Sequence, residues 1–105
     1  MAERLNQDTF APFIAESELP VLADFYQDGC IPCRRVAPLL SKAEGEYAGR
    51  LVIARVNLTQ NAELAEQYDI AAAPTLILFQ GGKEAARHRG VISRDDLKEF
   101  IESVL

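Results

Sequence analysis

Cys30 and Cys33 stand two residues apart where an apolar run gives way to a helical period, and the rest of the chain has to be arranged around that seam. The run Val21-Leu22-Ala23-Asp24-Phe25-Tyr26 precedes them and predicts a strand buried on both faces. After them Val36, Leu39, Leu40, Ala43 and Tyr47 recur at helical spacing, so the pair falls on a strand-to-helix junction with Cys33 in the first turn. Unpaired N–H groups and the positive end of the helix dipole meet there, and both stabilise an anion. A thiolate is such an anion, and it is the nucleophile of disulfide exchange. Pro32 suits a first helical turn, where its missing N–H costs little.

The composition is that of an ordinary soluble domain: 105 residues, 49% hydrophobic and 26% charged, predicting one domain over residues 1–105 with a core that needs no staples. A net charge of −5 argues against a general nucleic-acid or anionic-membrane binder, and a monomer is expected. Met1-Ala2-Glu3-Arg4 opens no apolar leader. The longest apolar stretch, from Ile70 to Phe79, is too short to span a bilayer and carries Pro74. A cytoplasmic, reducing compartment is therefore expected, and a lone C-x-x-C there reads as catalytic or metal-binding rather than structural.

In chain order, Asp8 to Ser17 predicts a first helix with Phe10, Phe13 and Ile14 on one face and Pro12 awkwardly inside it. The strand from Val21 to Tyr26 follows, then the helix to about Tyr47, kinked at Pro38. Leu51 to Val56 predicts a second buried strand, and Asn61 caps a short helix carrying Leu64, Ala65 and Tyr68. Thr75 to Phe79 reads as a strand, Gln80-Gly81-Gly82-Lys83 as a two-residue hairpin, and Glu84 to Arg89 as a polar edge strand ended by Gly90. Ser93 caps a last helix with Leu97, Phe100, Ile101 and Val104 on its apolar face and Asp95 and Asp96 in its first turn. The order helix, strand, helix, strand, helix, strand, strand, helix gives an α/β fold: a βαβ unit and a ββα unit sharing a central mixed sheet with helices on both faces.

C-x-x-C beside a βαβ pattern resembles the thioredoxin family, and the resemblance runs from about Leu5 to Leu105. Asp24 lies six residues before Cys30, as a buried family aspartate does. Pro38, five residues after Cys33, resembles the helix-kinking proline, and Ala73-Pro74-Thr75 the cis-proline segment facing the cysteines. Phe79, Gly81-Gly82 and Gly90 fall where the family has its hairpin and a substrate-side glycine.

The resemblance implies a thiol–disulfide oxidoreductase that reduces protein disulfides with no cofactor beyond the Cys30–Cys33 couple, and a thioredoxin-reductase-type electron donor. On it, Cys30 is the exposed attacking thiolate, Cys33 the resolving thiol and Asp24 the acceptor of the Cys33 proton. Gly29, Ile31, Pro32, Ala73, Pro74 and Gly90 would form the substrate-binding surface. Two features beside the cysteines depart from the family: Gly29 replaces a tryptophan, and Ile31-Pro32 replaces Gly-Pro between them. Arg55 stands where a lysine is usual. It either holds Asp24 ionised, tuning its pKa, or reaches to solvent. Two other readings of the cysteine pair stand beside redox turnover: a binding module on the same scaffold, and a metal- or cluster-bridged dimer. The dimer is needed because two cysteines and one distant histidine cannot complete a metal site within one chain. Arg34 and Arg35 read as a solvated helix face, with thiolate stabilisation by one of them as the alternative, and His88 as a surface residue without a role.

Overall fold

A computed structural model describes residues 2–105; Met1, where the leader reading begins, lies outside them. Five strands, β1 (Glu3–Leu5), β2 (Val21–Tyr26), β3 (Val52–Asn57), β4 (Thr75–Gln80) and β5 (Lys83–Arg89), form one sheet in the order β1-β3-β2-β4-β5. β1 and β2 run parallel to β3, while β4 runs antiparallel to both β2 and β5. Four helices, α1 (Phe10–Glu16), α2 (Ile31–Glu46), α3 (Ala62–Gln67) and α4 (Arg94–Glu102), cover it.

The central strands explain the two layers of core. Side chains alternate along β2, so Val21, Ala23 and Phe25 join Phe10, Ile14 and Leu64 on the side of α1 and α3. Leu22 points the other way, into a cluster with Val36, Leu40, Leu97 and Ile101 of α2 and α4. Asp24 is two residues on from Leu22 and therefore faces α2. On the opposite layer Phe10, Phe25, Tyr68 and Phe79 form a knot of rings with centroids between 5.2 and 6.2 Å apart.

Several boundaries differ from those read in the sequence. β1 was not expected: it is three residues long and only Leu5 is buried, so no alternating pattern announces it. The first helix starts at Phe10 rather than Asp8, which leaves Pro12 inside the first turn, where a missing N–H costs little. The second buried strand begins at Val52 and ends at Asn57, one residue later at each end than expected. Asn61 sits at the N-cap of α3 but makes no side-chain cap. It is buried, and its amide instead accepts from Gln7 N–H at 3.0 Å and donates to the Asn57 carbonyl at 2.9 Å, stitching two loops together.

The hairpin and the last helix follow their local chemistry. Gly81 and Gly82 both adopt positive φ, 61° and 80°, as a type I′ turn requires of its two central residues. β5 lies at the edge of the sheet. Ser93 accepts from Asp96 N–H at 3.1 Å, capping α4 with Asp95 and Asp96 in its first turn. His88 is more engaged than a surface residue: its ring meets Val91 O at 3.0 Å and packs edge-on to Phe100.

Candidate active site

Cys30 and Cys33 are joined as a disulfide at the N-terminus of α2, with Cα atoms 5.3 Å apart. Cys30 is the N-cap residue, and its sulfur accepts a hydrogen bond from Cys33 N–H at 3.2 Å. Cysteine therefore does here what serine or aspartate does at other helix starts: it satisfies an orphan donor at the positive end of the dipole. An N–H aimed at a sulfur in this way favours a thiolate over a thiol. In the oxidised form both cysteines are buried, Cys30 8% and Cys33 4% exposed, so the expected exposure of Cys30 is not met in this form. Pro32 occupies the first helical turn and Pro38 lies inside α2.

Opposite the disulfide runs the segment before β4. The Ala73–Pro74 bond is cis, and the Ala73 carbonyl lies 3.8 Å from the Cys30 sulfur. Thr75 donates its hydroxyl to the Ala72 carbonyl at 2.6 Å, and Gly90 N–H donates to the Pro74 carbonyl at 2.8 Å, so the segment is pinned from both sides. Ile31, beside Cys30, is the most exposed large apolar residue among those described at 63%, followed by Val91 at 50%, beside Gly90. Gly29 and Pro32 are also exposed.

Beneath this surface sits an ion pair. Asp24 and Arg55 are register partners on β2 and β3, and Arg55 Nε donates to Asp24 Oδ2 at 3.1 Å. Asp24 is 1% exposed, and its Oδ1 has no protein hydrogen-bond partner among the described residues. Burial pushes its pKa up, and the Arg55 guanidinium opposes that rise without cancelling it. The two readings of Arg55 are both partly realised: the side chain pairs with Asp24 yet stays 24% exposed, its guanidinium stacked 4.2 Å from the Tyr26 ring centroid. Tyr26 was not anticipated. A cation–ring contact depends on side-chain direction across two strands, which a linear pattern does not carry.

A groove of about 300 Å³ brings these parts to one place, lined by Tyr26, Gly29, Cys30, Cys33, Arg34 and Arg55 among others. Asp24 lies behind it rather than in its wall. Arg35 is solvent-exposed, as expected, and so is Arg34, although it borders the groove. Sequence reading also passed over Asp28, Asn57 and Thr59, which cross-link the loops beside Cys30. The clustering of Asn, Thr and Asp at the ends of β2 and β3 is the signal that points to them. Among the described residues no group of three or more His, Cys, Asp or Glu is placed to hold a metal ion, and no helix is long and apolar enough to cross a membrane.

Residues 1–103 match the family model described as Thioredoxin. "Thioredoxin" of Acidithiobacillus ferridurans is 39% identical over 101 residues, covering 96% of this chain and 94% of that protein. "Thioredoxin 1" of Nostoc sp. is 34% identical over 104 residues, covering 99% and 97%. "Thioredoxin M-type, chloroplastic" of Chlamydomonas reinhardtii is also 34% identical over 104 residues, covering 99% and 74%. Thioredoxins act on protein disulfides through a redox-active disulfide, and the one they use has its counterpart here in Cys30–Cys33. The chain belongs to the thioredoxin family, and it is a thiol–disulfide oxidoreductase.

Proposed function

We propose that the chain is a single-domain protein-disulfide reductase in which Cys30 attacks, Cys33 resolves and Asp24 takes the Cys33 proton. The observation that carries this reading is the Cys30 sulfur acting as N-cap of α2, accepting from Cys33 N–H at 3.2 Å. In the reduced protein the Cys30 thiolate attacks one sulfur of a substrate disulfide. A Cys30–substrate disulfide forms, the substrate S–S bond breaks, and the other substrate sulfur leaves as a thiolate. Cys33 then gives its proton to Asp24, through water because Asp24 lies behind the groove wall, and attacks the Cys30 sulfur. The Cys30–Cys33 bond forms, the second substrate thiolate leaves, and two electrons have passed from the dithiol to the substrate.

Substrate docking falls to the rim. The backbone of Ala73 beside Pro74 offers hydrogen bonds to an extended segment, flanked by Gly29, Ile31, Pro32 and Gly90. A 63%-exposed isoleucine next to the attacking sulfur favours apolar residues beside the substrate cystine. Arg55 tunes Asp24 by opposing the effect of burial. The protein works as a monomer in a reducing compartment, the cytoplasm, with no metal or organic cofactor and no nucleic-acid or membrane partner, and is recharged by a thioredoxin-reductase-type donor.

The test is trapping. Cys33→Ser leaves the first step intact and removes the second, so it accumulates protein joined through Cys30 when mixed with a disulfide-bonded substrate such as insulin. Cys30→Ser neither turns over nor traps. Trapping by Cys30→Ser but not by Cys33→Ser would reverse the two roles, and metal bound stoichiometrically by the reduced protein would favour a bridged dimer instead.

A further inference from the structure

The pairing of β2 with β3 does not stop where their backbones part. Tyr26 and Asn57 are the last register pair, and Leu58 N–H donates to the Tyr26 carbonyl at 2.7 Å. Beyond that point side chains continue the zip. Asn57 Nδ2 donates to Asp28 Oδ1 at 3.0 Å, and Asp28 N–H donates to Thr59 Oγ1 at 3.0 Å. Asn57 Oδ1 accepts from Thr59 N–H at 2.8 Å and from Gln60 N–H at 3.3 Å, which fixes the amide's orientation toward Asp28. Behind it the buried Asn61 holds the Asn57 carbonyl at 2.9 Å.

The latch ends at Asp28, and the next residue is Gly29. Gly29 has φ of 69°, a left-handed conformation that other residues rarely adopt, and a side chain there would meet nothing within 4 Å. So one residue with wide backbone freedom and no packing of its own separates the latch from Cys30. Nothing about Gly29 itself fixes the approach of the chain to Cys30; the hydrogen bonds of Asp28 do.

We infer that Asp28, Asn57 and Thr59 form a polar latch that positions the Cys30 sulfur by restraining the glycine that precedes it. These are positioning residues: none touches a reacting atom. The inference rests on Cys30 being the attacking sulfur. Loss of the latch lets the loop sample orientations in which the Cys30 sulfur is out of line for attack, and the rate of its first step falls in proportion.

The experiment measures attack of the reduced protein on 2,2′-dipyridyl disulfide, an uncharged probe, in a single turnover. A Cys30–pyridyl disulfide forms, the probe S–S bond breaks, and the released thiolate takes a proton from water to give pyridine-2-thione, which is read optically. Asp28→Ala removes the acceptor that Asn57 binds; Asp28→Asn removes the same charge but keeps an oxygen there. Thr59→Val and Thr59→Ser pose the same question from the other side. We expect Asp28→Ala and Thr59→Val to be slower by about fivefold, the kinetic equivalent of one hydrogen bond, and Asp28→Asn and Thr59→Ser to stay within about twofold of the parent. A change in field alone would move Asp28→Ala and Asp28→Asn together, so equal rates within either pair overturn the latch. A parent protein that does not react with the probe through Cys30 would instead overturn the functional reading, and the latch with it.

Discussion

Asp24 is the residue at which burial, charge and chemistry compete most directly. An ionised carboxylate this deep is disfavoured, and one ion pair to a partly exposed guanidinium offsets only part of the cost. Its pKa in the folded chain is raised above the ordinary 3.8, so the native state holds that proton more tightly than the unfolded state does. By linkage, the contribution of Asp24 to stability declines as pH rises from 3.8 through its folded pKa. Asp24→Asn removes that decline. Urea unfolding should show the variant close to the parent at acid pH and more stable by about 1–3 kcal/mol at neutral pH and above, while disulfide exchange slows. A variant less stable at neutral pH would mean that the Arg55 pair outweighs burial. Arg55→Met removes the cation that opposes the rise, so Asp24 keeps its proton to higher pH. The acid limb of mixed-disulfide resolution then moves upward in pH, and an unmoved profile would uncouple Arg55 from the proton transfer. That Asp24 is buried was legible because it interrupts an apolar strand. That Arg55 is clamped against Tyr26 was not, because that contact follows from side-chain directions on neighbouring strands.

Elements were legible in proportion to how much of their signal is local. α4 shows its cap, its acidic first turn and the apolar residues Leu97, Phe100 and Ile101 within the nine residues from Ser93, and the structure has all three, while Val104 lies past the helix end. Ser93→Ala deletes the oxygen that accepts from Asp96 N–H and should cost about 1 kcal/mol in urea unfolding with exchange activity unchanged. No loss of stability would mean that water caps the helix as well as the serine does. The hairpin was equally plain, since two successive glycines fit the two left-handed positions of its turn. β1 lies at the other extreme. It exists because β3 offers it an unpaired parallel edge, with Leu5 opposite Val56, and three residues are too few to carry a period. Asn61 illustrates a different failure: the residue type suits a cap, but the Gln7 N–H and the Asn57 carbonyl made better partners for its amide.

At the scale of the molecule, the sheet order places the ends of β2 and β4 side by side, and that juxtaposition makes the site. β2 runs out into Cys30, the cis-Pro74 segment leads into β4, and the two meet at the Cys30 sulfur and the Ala73 carbonyl. The family resemblance foretold that meeting. What it does not set is the redox couple, because the residues flanking and separating the cysteines are Gly29 and Ile31-Pro32 here. Dithiol couples of this general kind extend from about −270 to about −120 mV, a span of roughly 7 kcal/mol. A reductase must lie near the low end, where its disulfide form is the stable one and its dithiol gives up electrons readily. Equilibrating the Cys30–Cys33 pair against defined thiol–disulfide buffers measures this directly. We expect a potential of about −270 mV, whereas a value of about −120 mV would make the chain an oxidant of thiols rather than a reductase of disulfides.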